Sequence, residues 1–464
     1  MSFIIYDIGF LIIFSLFVFI FLYRRRKNLK REGVAYLYRT QLGIKIIGYI
    51  GKRWKRTLKV ISYVSIACGY LLMISAILLV AKTIQIFFQS PEIVRAVKIP
   101  PITPLIPYLP EIFKVDFLPP FYFTYWIIAL AIVAIVHEFS HGIIANINKV
   151  RIKSTGFLFL GPFFGAFVEP DENKMKKIKK KNQIAILSAG SFSNLLLVLL
   201  FFLLMWLFFS LTYSPSGALF DMYTFDIVNK SSISYIGASL IVNFNGQMNL
   251  TQITADNKTF FIETSMLKKL NETEEFLAYD DSPALKAGLS GAIASIDNVK
   301  VKDGIELRVE LLKHKPGDKI TMTAIQKDDT EKTFEIILGE NPANKSIPYL
   351  GIAVLPKQSQ SVMGLIRGLF TFFKEPNTYY APKFNPELVL FFYNLLWWIV
   401  LINFSVAIVN MLPASLFDGG RVFYLTVWAL TKKEKFAKIA FKASTYLLLA
   451  AVVLLMIFWV SAFI

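Results

Sequence analysis

The sequence predicts a polytopic α-helical membrane protein of about six transmembrane helices, with a re-entrant β-hairpin and one inserted soluble domain. Three observations predict it. The 464 residues are 55% hydrophobic with a mean hydropathy of +0.53, above the ~45–50% apolar content of ordinary soluble domains. The excess falls in blocks close to the ~20 residues that a bilayer requires. The basic residues behind the net charge of +18 cluster beside those blocks. Such clusters mark the cytoplasmic side of a membrane. None shows the aromatic interleaving of a single-strand binder, so no nucleic-acid partner is expected.

Residues 1–59 comprise an anchor span, about 7–23, and a basic cytoplasmic segment beginning "YRRRKNLKR" at Tyr23. The span has no basic region before it and no small-residue cleavage site after it, so it reads as an anchor and not a secretory signal. Residues 60–212 form the first part of the membrane core, with spans at about 60–80, 121–147 and 185–212. The external stretch "PPITPLIPYLP" from Pro100 reads as a stiff linker. "GFLFLGPFFGAFVEP", residues 156–170, is apolar but too short to cross, and Gly156, Gly161, Pro162 and Gly165 would break a helix. Non-helical backbone at membrane depth must be buried in protein or line a cavity, so this segment is expected to be a re-entrant hairpin packed on the spans.

Residues 213–360 form the one candidate soluble domain, extracytoplasmic and large enough for its own core. "KITMTAIQ" from Lys319 and "KTFEIIL" from Lys332 alternate as strands, and "KPGDK" from Lys315 reads as a turn. Sequons at Asn229, Asn249, Asn257, Asn271 and Asn344 suit an external face. Residues 361–464 form the second part of the core, with spans at about 388–412 and 440–463. "VMGLIRGLFTFFK" from Val362 has an amphipathic pattern suited to the membrane interface. With both termini outside, "KMKKIKKKN" from Lys174 and "TKKEKFAK" from Thr431 fall on the same side as the first basic cluster. Residues 213–387 then lie outside. Cys68 is the only cysteine, which excludes an intrachain disulfide and a cysteine-based metal site.

"IVHEFSHGI", residues 135–143, interrupts an otherwise lipid-compatible span. Ionisable residues inside a membrane point to function. His137 and His141 stand at i and i+4, on one helix face, so both imidazoles can address one ion. Glu138, beside the first, can act as general base on a water at that ion. A catalytic zinc usually takes three protein ligands. The remaining histidine, His314, lies in the charged stretch "LLKHKPGD", so the third ligand is expected to be a carboxylate near a span. "NMLPASLFDGG", residues 410–420, offers Asp418 at a similar depth. Gly419 and Gly420 permit close backbone approach, and Pro413 ends the preceding helix.

These two motifs resemble the site-2 protease family of intramembrane zinc metalloproteases, and the likeness covers most of the membrane core. The resemblance implies Zn2+ held by His137, His141 and Asp418, with Glu138 catalytic. "AGSFSN", residues 189–194, is similar to the family's G-x-x-x-N, which places Asn194, and by the other motif Asn410, near the catalytic water or the scissile carbonyl. An amide there could steady a developing oxyanion. The 156–170 segment resembles the family's re-entrant β-element, which would hold an unwound substrate by β-augmentation. "GAFVEPDE" from Gly165 resembles archaeal members. "DSPALKAGLSGAIASIDNVKV" from Asp281 and "ELLKHKPGDKITMTAIQKDD" from Glu310 look like a PDZ domain, which implies an external filter on substrate size.

The expected function is therefore an intramembrane zinc metallopeptidase of a multi-pass cell-membrane protein. Its partners would be the lipid bilayer and transmembrane protein substrates, cut within or next to their spans in regulated intramembrane proteolysis. Its active site would face the cytoplasmic half. The alternative is a catalytically inactive membrane scaffold or chaperone of the same fold. A metal transporter would need polar residues along several spans, and spans one, two and six offer none on this reading.

Overall fold

Long apolar runs have no backbone partner in lipid other than their own helix. Among the described residues, six helices are long and apolar enough to cross a membrane: α1 (Phe3–Arg25), α3 (Lys55–Gln89), α4 (Phe123–Ile147), α5 (Lys180–Thr212), α6 (Pro386–Val409) and α8 (Glu434–Ser461), with the shorter α2 (Leu42–Arg53) and α7 (Asp418–Thr431) between them. This computed structural model describes the chain except residues 1–2, 34, 90–99, 101–104, 114–117, 161–162, 244–246, 270–273, 355–367, 369–371 and 462–464. Most of the amphipathic segment from Val362 lies outside the described residues, as do Gly161 and Pro162 and part of the proline-rich stretch. The chain divides into two compact units, Met1–Phe208 with Leu390–Ile464, and Phe209–Val389.

In the first unit, the segment between the first two spans carries more structure than its basic composition announces. Strands β1 (Leu29–Glu32) and β2 (Ala35–Thr40) form a hairpin that pairs with β3 (Ile152–Leu160), and β3 pairs with β4 (Phe163–Pro170). The result is one antiparallel sheet of order β1-β2-β3-β4, with β4 at an edge. Glu169 ties three strands, accepting from the Ser154 hydroxyl at 2.7 Å and lying 3.4 Å from Arg39. Helix α2 buries Gly43, Ile47 and Gly51, one residue per turn. That narrow face lets it lie close to Phe139 and Asn146 of α4. Ile47, Ile144, Val168, Ile186, Met411 and Val422 meet in one core, so α2, α4, β4, α5 and α7 are held around a common centre.

The first span also carries a buried polar residue that reading the sequence passed over, which corrects the expectation that this span has none. Asp7 is 1% exposed. It accepts from the backbone N–H of Phe123 (2.7 Å) and Thr124 (2.9 Å), the Thr124 hydroxyl (2.5 Å) and the Tyr108 hydroxyl (2.5 Å). The first amides of a helix have no partner within it, and Tyr122, the residue before α4, supplies no side-chain cap. Asp7 therefore caps α4 from another helix, where its charge also meets the positive end of the helix dipole. Asp7→Ala leaves those donors buried and unmet. It should destabilise the protein by about 2–4 kcal/mol, read as a lower midpoint of thermal unfolding in detergent. An unchanged midpoint would show that water replaces the carboxylate. Farther along, Phe121 stacks on Trp398 of α6 at 3.9 Å between centroids, and the Trp398 indole donates to the Pro120 carbonyl at 3.0 Å.

The second unit holds two larger antiparallel sheets. One contains β7 (Phe225–Asn229), β8 (Ile233–Asn243), β9 (Gln247–Ala255), β10 (Lys258–Glu263) and β11 (Glu275–Asp280), in the order β7-β11-β10-β9-β8. The other follows the order β15-β14-β12-β5-β19, from β5 (Tyr213–Ala218), β12 (Ala292–Ile296), β14 (Lys319–Ile325), β15 (Glu331–Ile337) and β19 (Thr378–Pro382), with β13 (Val299–Lys300) beside β12. Short pairs join β6 (Met222–Tyr223) to β18 (Ile352–Ala353) and β16 (Gly339–Asn341) to β17 (Asn344–Tyr349). The two alternating stretches seen in the sequence are β14 and β15, paired from Lys319↔Ile337 to Ile325↔Glu331. Their inward residues Ile320, Met322, Ala324, Phe334 and Ile336 are buried, as period-2 alternation requires.

Candidate active site

The helical period sets the first half of the site. His137, Glu138 and His141 lie on α4, and the Nε2 atoms of the two histidines are 3.1 Å apart. The first residue of α7 brings Asp418, whose Oδ2 lies 3.3 Å from His137 Nε2 and 3.1 Å from His141 Nε2. Three donor atoms thus form a nearly equilateral triangle. A tetrahedral zinc with bonds of about 2.0–2.1 Å has ligand–ligand edges of about 3.3–3.4 Å. The observed edges are close to that, with one corner left for water or substrate. A Glu138 carboxylate oxygen also falls in a group with the histidine nitrogens in which all atoms are within 4.8 Å of one another. The Asp418 triangle is much tighter, and its three atoms are the better ligand set.

Backbone geometry places Asp418. Helix α6 ends at Val409, and a turn leads back to α7. The Gly419 N–H donates to the Asn410 carbonyl at 2.8 Å. A Cβ at Gly419 would collide with the Met411 backbone, so only glycine lets the turn close this tightly. Asp418 sits in the first turn of α7, where the helix dipole favours a carboxylate. Asn410 contributes its backbone; its side chain has no hydrogen-bond partner among the described residues.

Helix α5 supplies what surrounds the ligands. His141 Nδ1 lies 2.6 Å from the Ile186 carbonyl, so Nδ1 carries the proton and Nε2 presents its lone pair to the triangle. His137 Nδ1 lies 3.0 Å from the Asn194 carboxamide, which is fully buried. As placed, the amide nitrogen faces the ring and Oδ1 has no partner. Exchanging the near-isosteric N and O lets Oδ1 accept from Nδ1–H and frees His137 Nε2 as a ligand. The donor set therefore fits a zinc ion once this amide is turned. Between these partners runs Gly190, where a Cβ would stand 2.5 Å from His137 Nε2 and 2.5 Å from His141 Nε2. The missing side chain leaves the space that the triangle encloses. Asn194→Ala should weaken metal binding about 10–100-fold, measured by competition with a chromogenic chelator. Wild-type affinity in the variant would exclude the orienting contact.

Glu138 accepts from the backbone N–H of Val168 at 3.0 Å. Val168 lies on β4, the edge strand, and its N–H points away from β3. At the strand period of two, Phe164 and Ala166 present their backbone to the same outer edge. The Glu138 carboxylate and the unpaired strand edge are therefore adjacent.

A family model described as peptidase family M50 matches residues 125–454. This chain belongs to peptidase family M50. That is the site-2 protease family whose motifs the sequence resembles, and its members are zinc-dependent metallopeptidases. The chain is also 30% identical over 199 residues to a Methanocaldococcus jannaschii protein named "Uncharacterized protein MJ0971", covering 41% of this chain and 48% of that protein. The match thus spans about half of the relative's length.

Within this M50 chain, the structure brings together His137, His141, Asp418, Glu138 and Asn194; His314 belongs to the other unit. Sequence reasoning missed Gly190, the Ile186 carbonyl and the Val168 N–H. Gly190 is the glycine inside "AGSFSN", and the spacing of four to Asn194, one helical turn, was the available signal. The two backbone groups had none, since any residue carries them.

Proposed function

We propose that this protein is a membrane-embedded zinc endopeptidase of the site-2 protease type, which hydrolyses peptide bonds within or next to transmembrane segments of other proteins in regulated intramembrane proteolysis. The observation that carries this reading is the triangle of His137, His141 and Asp418 donor atoms with Glu138 beside it. Zinc, when bound there, supplies Lewis-acid polarisation of the scissile carbonyl and of water. Glu138 takes the proton of the attacking water and passes it to the leaving amine. Val168 holds one oxygen of that carboxylate and so orients the base.

The neighbouring strand edge supports the substrate class. A transmembrane helix hides its amides in its own ladder and must unwind before its backbone can be cut. The outer edge of β4 offers partners to such an extended segment by β-augmentation. In this reading the β3–β4 hairpin enters the membrane from the cytoplasmic side, where the basic clusters lie. The second unit stands outside as a PDZ-like filter that keeps bulky ectodomains away. Asn194 serves as the partner that orients His137, a role its buried contact supports better than that of an oxyanion donor.

The test is cleavage of tagged single-span substrates by the purified protein in detergent, with products mapped by mass spectrometry. Cutting inside or beside the span, stopped by a zinc chelator and restored by zinc, is the expected result. Protein that binds no stoichiometric zinc, or cutting indifferent to the chelator, would overturn the assignment.

A further inference from the structure

A second site lies at the basic end of the helix bundle in the first unit. The start of α3, the end of α4 and the start of α5 enclose a cavity of about 330 Å3, within the usual ~300–1,000 Å3 range of small-molecule sites. Lys55, Lys59, Lys149 and Lys181 line it, with Asn148 and Ser62. None of the four lysines has a carboxylate partner among the described residues. Like charges crowded around one hollow repel one another unless an anion joins them.

Two further features favour an anion. Lys149 follows α4 at φ 63, a left-handed position that glycine or asparagine fills most easily. Lys181 lies 4.2 Å over the Tyr63 ring, which holds its ammonium at the cavity. Topology alone asks only for positive charge near the span ends. It does not ask for four lysines on one hollow.

We propose that this cavity binds a phosphate-bearing anion, the headgroup of an anionic phospholipid. The lipid source is favoured over free phosphate by what adjoins the cavity. The helices that meet there, α3, α4 and α5, are three of those long and apolar enough to cross a membrane, and the cavity lies at their basic ends, where headgroups lie. Lysines at that depth suit a headgroup whose acyl chains run on into the bilayer. The same helix ends support the metal site. Asn148 is seven residues past His141 on α4, about 10 Å along the axis, and Lys181 opens the helix whose Ile186 carbonyl holds His141. A bound headgroup would therefore brace α4 against α5.

The full chain in non-ionic detergent is titrated with dioleoylphosphatidylglycerol, dioleoylphosphatidylcholine and inorganic phosphate at matched ionic strength, with retained lipid counted by native mass spectrometry. Thermal midpoints are read in parallel. Retention of the anionic lipid over the zwitterionic one is expected, with a raised midpoint. Lys59→Gln/Lys181→Gln should weaken retention about 20-fold. Lys177→Gln/Lys435→Gln, which removes as much charge outside the cavity, should change it less than about twofold. Lys149→Gly removes charge while relieving the backbone, so its loss of lipid without loss of stability separates binding from folding. Equal retention of both lipids, or equal losses in the two double variants, would overturn the proposal. Inorganic phosphate that displaces the lipid and stabilises as well would overturn the headgroup and leave free phosphate as the ligand.

Discussion

Glu138→Gln is expected to keep the metal and to lower peptide hydrolysis by about 10²–10⁴-fold, the usual contribution of a positioned general base. The reasoning is geometric. Glu138 is not a corner of the ligand triangle, so its charge is not needed to hold the ion. Glutamine is nearly isosteric and its carbonyl oxygen can still accept from Val168, so the β4 edge should stay in place. What is lost is a group able to take a proton. The measurement pairs the initial rate of substrate cleavage with zinc per chain by elemental mass spectrometry. A variant that loses zinc as well would make Glu138 a ligand. A variant that retains both zinc and full activity would require another base.

Gly190→Ala should remove the metal while leaving the rest of the membrane unit folded. The added methyl stands 2.5 Å from the Nε2 atoms of both histidines, closer than a carbon and a nitrogen that are not bonded can approach. Relief requires both rings to turn, which breaks their contacts with Ile186 and Asn194. Altering one such outer contact typically costs 10–100-fold in metal affinity, and here two are disturbed, so a loss on the order of 100-fold or more is expected. Zinc content and the visible spectrum of the cobalt-substituted protein, which reports tetrahedral coordination, read the change. Gly165→Ala is the control, because a Cβ there meets nothing within 4 Å. Normal cobalt absorption in Gly190→Ala would mean that the triangle does not enclose the ion.

Much of the membrane unit was legible because its signals are local. A run of apolar residues names its own helix, and H-E-x-x-H names its own face, since i and i+4 recur at the helical period. The need for a third, carboxylate ligand pointed to Asp418 beside Pro413 and two glycines, and the family likeness matched it. Other elements carried weaker marks. β1 and β2 are short, and their alternation is masked by arginine and lysine, so they read as a charged loop. They become strands because β3 offers a free edge in register with Tyr36–Thr40. Asp7 looked like one acid at the start of a span. Its meaning depends on the amides of α4, 116 and 117 residues away.

By itself, the sequence determined the number of apolar helices, the two histidines on one face and the residue types able to hold zinc. Only the tertiary structure decided that Asp418, 281 residues from His137, closes a triangle with edges of 3.1–3.3 Å. The same holds for Gly190 vacating the space before it, Asn194 backing His137, and Val168 meeting Glu138. The physical reason is one of range. Helical period and hydropathy act within one element, whereas a ligand distance between elements is set by how α4, α5 and α7 pack, and that packing is the sum of side-chain contacts no single stretch contains.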